Sequence, residues 1–265
     1  MNLAQCGLKC LISIGQCSLC LFQILRRLIH RTQNPPFLRQ SFQLLIEQLY
    51  FMGVKSLTII MVAGLFIGAV LSFQSYATLA HFGATQQLGQ WVALSVVREL
   101  GPVVTALLFA GRVGSALTAE IGLMKTTEQL VSLEMMGVDS IGYVAVPRFW
   151  AGIYAVPLLT VIFNCVAIVG GGYGIAVGWY HIDSGAFWST LQSAVSFQDD
   201  IFRGLMKSVL FGWAITWIAI FQGYETATHA TGVAKATTQS VVYASLAVLT
   251  LDVLLTAIML GGNPS

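Results

Sequence analysis

Five long runs of apolar residues limit what this chain can fold into. They cover residues 54–80, 102–124, 149–178, 204–223 and 240–262, and each is long enough for an α-helix to cross about 30 Å of hydrocarbon. Only 9% of the residues are charged, whereas about a quarter are charged in a soluble domain. The dense alternation of a lipid-facing β-barrel is missing. The sequence therefore predicts an all-α integral membrane protein with five transmembrane helices.

The basic residues predict how these helices are oriented. If the first run starts in the cytoplasm, nine basic residues fall inside, two fall outside and two lie within spans. The inside residues are Lys9, Arg26, Arg27, Arg31, Arg39, Lys55, Lys125, Arg148 and Lys235. This asymmetry predicts a cytoplasmic N-terminus and an outside C-terminus. Because the basic residues are spread along membrane edges, the net charge of +2 does not indicate nucleic-acid binding.

Residues 1–53 are predicted to form amphipathic helices at the membrane interface, broken at Pro35 and Pro36, ahead of one domain over residues 54–265. Four cysteines, Cys6, Cys10, Cys17 and Cys20, share one stripe of the first helix. Packing explains this stripe better than thiol chemistry, since no second Cys or His pair completes a zinc site.

Residues 126–137 predict a short cytoplasmic helix between the second and third spans. Thr126 or Thr127 can cap its start, and Gly137 can end it. Its apolar residues give it an exposed edge, which either packs on the chain's own spans or docks on a partner. The chain has no Gly-Lys dipeptide and hence no phosphate-binding loop, so it cannot hydrolyse ATP by that machinery.

Two charges are predicted to lie near the middle of the membrane. Arg112 and Asp252 are each near the centre of an apolar run, so we expect them to pair and to clamp the second span against the fifth. Glu120 lies about 12 Å further along the helix from Arg112 and on another face, which makes it a poor partner. The alternatives are a direct part in transport, or an Asp252 that bonds hydroxyl groups while Arg112 faces a wet cavity.

A second charged group, Arg98, Glu99 and Lys207, is predicted near the outer face. These side chains either extend to the membrane interface or form a polar patch that meets a lipid head group. In the second case a cation attracts the phosphate and Glu99 balances the spare positive charge.

Several stretches resemble one known family. They are RELGPVVTALLFAGRVGSALTAEIGLMKTTEQLVSLEMMGVD, PRFWAG, IDSGAFW, KSVLFGWAITWIAIFQGY and ATTQSVVYASLAVLTLDVLLTAIM. Together they resemble the MlaE family of ABC transporter permeases over residues 96–259, and the N-terminal segment lies outside the resemblance. In the family a proline often follows the Val-Asp pair, whereas here Ser140 does.

The resemblance implies a homodimeric permease with no enzymatic activity of its own in a Gram-negative inner membrane, which moves phospholipid and maintains outer-membrane lipid asymmetry. It implies three further partners: a periplasmic MCE-domain lipid carrier (MlaD-like), a STAS-domain protein (MlaB-like) and a cytoplasmic ATPase (MlaF-like). ATP and Mg²⁺ would be bound by the ATPase, and this chain would bind no cofactor or metal.

The resemblance also suggests roles for individual residues. The short cytoplasmic helix looks like the coupling helix, with contacts from Glu128, Leu133, Glu134 and Met136. The lipid pocket would be formed by Arg98, Glu99 and Lys207, with an apolar wall of Leu71, Leu79 and Phe82. Two other function classes remain open: a membrane anchor for the ATPase and carrier, and an ion-coupled secondary transporter that uses Asp252 and Arg112 as a relay.

Overall fold

The computed structural model describes residues 43–261, and this part of the chain is helical without any strand. The helices are α1 (Gln43–His81), α2 (Thr85–Thr126), α3 (Gln129–Met135), α4 (Ile141–Gly178), α5 (Ser184–Ala194), α6 (Gln198–Glu225) and α7 (Ala230–Gly261). Five of them, α1, α2, α4, α6 and α7, are long and apolar enough to cross a membrane. The predicted all-α fold with five spans is confirmed, and the chain is a multi-pass membrane protein.

The spanning helices are longer than the apolar runs. The largest difference is in α2, which starts at Thr85, because the helix is not interrupted at Gly101-Pro102. A π-helical turn, Val96–Leu100, precedes the proline, and the backbone N–H of Gly101 bonds to the carbonyl of Val96, five residues back. The wider turn lets the helix continue past a residue that has no N–H to donate.

The predicted N-terminal interfacial helices fall mostly on residues 1–42, which lie outside the described residues, as does the cysteine stripe. Residues 43–53 continue into the first span as one helix, with a π-helical turn at Tyr50–Val54.

The bundle is held together by close helix packing. Helix α6 packs against α2, α4 and α7, and α1 packs against α4. A Cβ added at Gly68 of α1 would lie 2.0 Å from the carbonyl oxygen of Ala167 in α4, so only glycine fits there. Gly171 of α4 approaches the backbone of α1 in the same way. By contrast, a Cβ added at Gly174 or Gly178 of α4 would meet no atom within 4 Å.

Helix α5 was not among the sequence predictions. It begins after Asp183, whose side chain accepts a hydrogen bond from the backbone N–H of Ala186 at 3.0 Å. Phe187 is fully buried against the start of α2, where its carbonyl oxygen would lie 2.5 Å from a Cβ at Gly89. This short helix therefore fixes the first turns of α2, which lead to Arg98.

Candidate functional site

Lys207 of α6 is the centre of a charged cluster at the end of the bundle that is predicted to lie outside. Its side chain is 3% exposed, and its Nζ atom has four oxygen acceptors. They are the carboxylates of Glu99 at 3.3 Å and Asp252 at 3.2 Å, the hydroxyl of Thr256 at 2.8 Å and the carbonyl of Arg98 at 3.3 Å. This ammonium group is thus neutralised and saturated by the chain itself.

The local sequence explains why these acceptors converge. In a regular helix the N–H of residue 102 would bond to the carbonyl of Arg98, but Pro102 has no N–H. The Arg98 carbonyl accepts from Lys207 instead. On α7, Asp252 and Thr256 are four residues apart and therefore face the same side of the helix.

Arg98 forms the second half of the cluster. Its Nε atom donates to Asp200 at 2.6 Å, and Asp200 is held in turn by the backbone N–H of Ser196 at 2.8 Å. The Asp200 side chain is 3% exposed, whereas that of Arg98 is 53% exposed. The two terminal nitrogens of Arg98 make no hydrogen bond to a described residue, so they point a guanidinium edge toward the surroundings.

These residues surround a small open cavity. It is lined by Arg98, Glu99, Asp199, Asp200, Arg203, Lys207, Thr256 and Met259. Around Lys207 and Arg98 there are three carboxylates for two cations, and Glu99 is 45% exposed with one oxygen that is not bonded to a described residue. Around Lys207, the groups left for a ligand are therefore the end of Arg98 and one edge of Glu99, and the same cavity is lined by the exposed ion pair of Arg203 and Asp199. Within residues 43–261 no cluster of His, Cys, Asp or Glu could hold a metal ion.

The three residues of the predicted apolar wall, Leu71, Leu79 and Phe82, do not line this cavity within the described chain. Leu79 is 7% exposed and belongs to the chain's own core, so it offers no wall to a ligand. Leu71 is half-buried, and Phe82 is 79% exposed near the end of α1.

The predicted pair of Arg112 and Asp252 is not formed within the described residues. Asp252 accepts from Lys207, and Arg112 donates from Nη1 to the hydroxyl of Ser56 in α1 at 2.5 Å. Glu120, which we excluded as a partner of Arg112, forms an ion pair with Arg148 at 3.2 Å. The side chain of Arg148 is 10% exposed, so this bridge ties α2 to the start of α4.

The register between two helices explains the error. Helices α2 and α7 are antiparallel, with Thr118 bonded to Ser240 and Glu99 bonded to Thr256. In an antiparallel pair of helices, the numbers of two residues at the same depth have a nearly constant sum. The two contacts give sums of 358 and 355, so residues 243–246 of α7 lie at the depth of Arg112. Asp252 is therefore at least six residues, or about 9 Å, further toward the Arg98 end. The centre of an apolar run gave the wrong depth because each helix extends beyond its run by a different length.

The short helix α3 lies at the opposite end of the bundle. It ends before Gly137, which has the positive φ of 76° expected for a helix terminus. Thr126 and Thr127 do not cap it: both hydroxyls bond to the carbonyl of Leu123 at the end of α2, and the residue before α3 is Glu128, with a φ of 56°. The predicted cap is wrong because α2 continues through Thr126.

One side of α3 packs on the chain and the other is exposed. Leu130 is buried and Leu133 is half-buried, whereas Val131, Met135 and Met136 are 49%, 85% and 69% exposed. Packing on the chain's own spans is thus confirmed for one side of α3, whereas docking of the exposed side on a partner stays a prediction. Of the two predicted acidic contacts, Glu128 is exposed, and Glu134 is exposed while it accepts a hydrogen bond from Ser140 at 2.6 Å.

Comparisons with known proteins identify the family to which the chain belongs. The sequence model of the family described as Permease MlaE matches residues 45–258. The chain is 56% identical over 228 residues to the Intermembrane phospholipid transport system permease protein MlaE of Haemophilus influenzae, which covers 86% of this chain and 87% of the relative. A probable ABC transporter permease protein of Rickettsia bellii is 39% identical, over 81% of this chain and 82% of that protein. One of Synechocystis is 37% identical, over 82% of each chain.

The chain belongs to the MlaE permease family, since the family match covers most of its length and includes both the charged cluster and α3.

Proposed function

We propose that this chain is the permease subunit of an ATP-driven ABC transporter that moves phospholipid between a Gram-negative inner membrane and a periplasmic carrier of the MCE class. In this role it maintains the lipid asymmetry of the outer membrane. The name of the Haemophilus influenzae relative supports phospholipid transport, and the names of the other relatives support an ABC system.

The observation that carries the proposal is the cluster around Lys207, with its exposed Arg98 edge. The two terminal nitrogens of Arg98, which make no hydrogen bond within residues 43–261, match the oxygens of a phosphodiester. The exposed oxygen of Glu99 suits an ammonium group beside it. The buried Lys207 then holds Glu99 in position, and Arg98 contacts the phosphate. Leu71 and Phe82 of the second copy of the chain would contact the lipid tails.

The proposed assembly contains two copies of this chain with cytoplasmic N-termini and periplasmic C-termini. A separate ATPase, which binds ATP and Mg²⁺, would dock on α3, and a STAS-domain protein would contact that ATPase. The exposed Met135 and Met136 supply an apolar contact, with Glu128 and Glu134 beside them. This chain performs no covalent chemistry.

Transport then depends on two states of the dimer. ATP binding by the partner moves α3, and the ion pair of Glu120 and Arg148 carries that movement into α2 and α4. A change in the packing of α2 against α6 narrows the space at Arg98 and weakens lipid binding there. Lipid leaves because the two states bind it with different affinity.

The two other function classes are less well supported. The hypothesis of a membrane anchor does not explain why a charged cavity contains an exposed guanidinium group at Arg98. An ion-coupled transporter with a relay between Arg112 and Asp252 requires these side chains to be close, and they are about 9 Å apart in depth along the helices.

The test is lipid transfer by the full complex in proteoliposomes, with the ATPase and the carrier present. Labelled phospholipid is followed in both directions with and without ATP. We expect ATP-dependent transfer. We expect Arg98→Gln to slow it by about ten- to a hundredfold, because a charge-assisted hydrogen bond contributes about 1.5–3 kcal/mol.

The control is Lys235→Gln, which removes one charge at the start of α7, far from the cluster. Size-exclusion chromatography verifies that each variant still assembles with its partners. Normal transfer by Arg98→Gln would contradict the proposed site. An assembled complex that never transfers lipid would favour the anchor, and transfer driven by a proton gradient without ATP would favour the ion-coupled transporter.

A further inference from the structure

Arg112 is a cation near the middle of α2 whose charge is not neutralised by the described chain. Its single hydrogen-bond partner among the described residues is the hydroxyl of Ser56. It lies fourteen residues from Arg98, or about 21 Å along the helix, and thirteen residues from Lys125, or about 20 Å. A charged side chain at the centre of a bilayer costs at least about 2.5 kcal/mol, so such a residue needs a partner.

Within residues 43–261 no Asp or Glu lies at the depth of Arg112. All eleven acidic residues belong to residues 43–261. The three nearest in depth are Asp252, about 9 Å away along the helix axis, Glu120, about 12 Å away, and Glu47, about 13 Å away. Asp252 and Glu120 are each bonded to a cation of their own. The other eight lie at the two ends of the bundle or in its connections.

A second copy of the chain cannot supply the missing charge either. Two copies related by a two-fold axis along the membrane normal keep every residue at the same depth. The carboxylates of the second copy are therefore as far from the depth of Arg112 as those of the first. The partner of Arg112 must come from elsewhere.

The surface of α2 leads from Arg98 to Arg112. Partly exposed residues recur in pairs along one face, at positions 103 and 104, 107 and 108, and 111 and 112. The first four are Val103, Val104, Leu107 and Leu108, so the face between the two arginines is apolar. Beside Arg112, Gly111 is exposed, and a Cβ added to it would meet no atom within 4 Å. There is room at this point for a group that the chain itself does not provide.

We propose that Arg112 is a second binding station for the phosphodiester of a phospholipid, about 21 Å deeper than the one at Arg98. This inference rests on the proposed function, since it places a second step on the same path. The two stations differ in charge. At Arg98 three carboxylates surround two cations, whereas at Arg112 one guanidinium meets one hydroxyl, so the inner station attracts an anion more strongly.

The experiment uses the whole transporter in cells grown with ³²P-phosphate. A benzophenone amino acid replaces Leu108, one helical turn from Arg112 toward Arg98, and after illumination the labelled adduct is quantified. A second benzophenone at Phe66, which is 64% exposed on α1, measures contact with bulk lipid. Benzophenone inserts into C–H bonds, so inorganic phosphate cannot give a labelled adduct.

We expect Arg112→Gln to lower the adduct at position 108 by about tenfold and to leave that at position 66 unchanged. Arg112→Lys should retain most of the signal because it keeps the charge. Ser56→Ala should also retain it, because it removes the hydroxyl partner and leaves the guanidinium. Size-exclusion chromatography verifies that all three variants assemble.

An unchanged adduct in Arg112→Gln would overturn the proposal, and so would an equal loss in Ser56→Ala, which would show a structural role for the bond between the two side chains. An adduct with another protein in place of lipid would overturn it as well. Lipid transfer in proteoliposomes separates this failure from that of the proposed function: ATP-driven transfer with an Arg112-independent adduct refutes only the inner station. An Arg112-dependent adduct without any transfer refutes only the transporter.

Discussion

The buried ion pair of Lys207 and Asp252 predicts that the two single substitutions lower stability by different amounts. It also predicts that their effects are not additive. The change Lys207→Met removes the only cation bonded to both Glu99 and Asp252 in the described chain. Glu99 is 45% exposed and can be hydrated, but Asp252 is 18% exposed and keeps an uncompensated charge. Breaking a fully buried ion pair from one side costs about 3–5 kcal/mol. With one partner half-exposed, we expect a loss of about 2–4 kcal/mol of stability.

Removing the carboxylate instead should cost less. In Asp252→Asn, Lys207 keeps Glu99, the Thr256 hydroxyl and the Arg98 carbonyl as acceptors, so we expect a loss of about 1 kcal/mol. The double variant has neither the buried ammonium nor the unpaired carboxylate. It should therefore be more stable than the sum of the single losses predicts, by about 1–3 kcal/mol.

The assay is the apparent melting temperature of the purified complex, followed by fluorescence-detected size-exclusion chromatography after heating. We expect the order wild type, Asp252→Asn, double variant, Lys207→Met, from the most to the least stable. Additive shifts in the four proteins would show that the two side chains do not interact. A Lys207→Met variant as stable as the wild type would refute the reasoning about the buried charge.

Two further predictions concern α3 and the packing of α1. Met135→Glu places a charge on the exposed apolar edge of α3 and should abolish co-purification of the ATPase, whereas Ser193→Glu on α5 should not; equal co-purification by both would contradict docking on α3. Gly68→Ala brings a methyl group against the carbonyl of Ala167 and should lower stability by about 1–3 kcal/mol, whereas Gly178→Ala, which meets open space, should leave the melting temperature unchanged.

The sequence was sufficient for the spans and for the outer cluster. Five helices follow from the length of the apolar runs, because the thickness of the hydrocarbon sets a minimum length for each. Arg98, Glu99 and Lys207 could be grouped because all three are near the same end of their spans. The sequence did not reveal that the Nζ atom of Lys207 donates to Asp252 and Thr256. These contacts depend on the position of α7 along the neighbouring helices.

The pairing of Arg112 failed for a related reason. Depth was judged from the centre of an apolar run, but contacts between helices depend on register, which is set by close packing at particular residues. A shift of six residues along α7 moves a side chain by about 9 Å, more than twice the reach of an ion pair. The signal that could have corrected the error is Thr118, whose polar side chain in the apolar run needs a partner and bonds to Ser240.

Pro102 shows how one residue links the fold to the site. Pro102 lacks the N–H that a regular α-helix would donate to the carbonyl of Arg98, and that carbonyl accepts from Lys207 of α6. Lys207 donates to this carbonyl and to the carboxylates of Glu99 and Asp252. Arg98 therefore remains as the accessible cation beside it. Among the described residues, Arg112 has no carboxylate partner and bonds only to the hydroxyl of Ser56. Among the described residues, the cations along one face of α2 therefore change from neutralised at Arg98 to unneutralised at Arg112. If Arg112 is the second binding station, a phosphate group is attracted along this face toward the middle of the membrane.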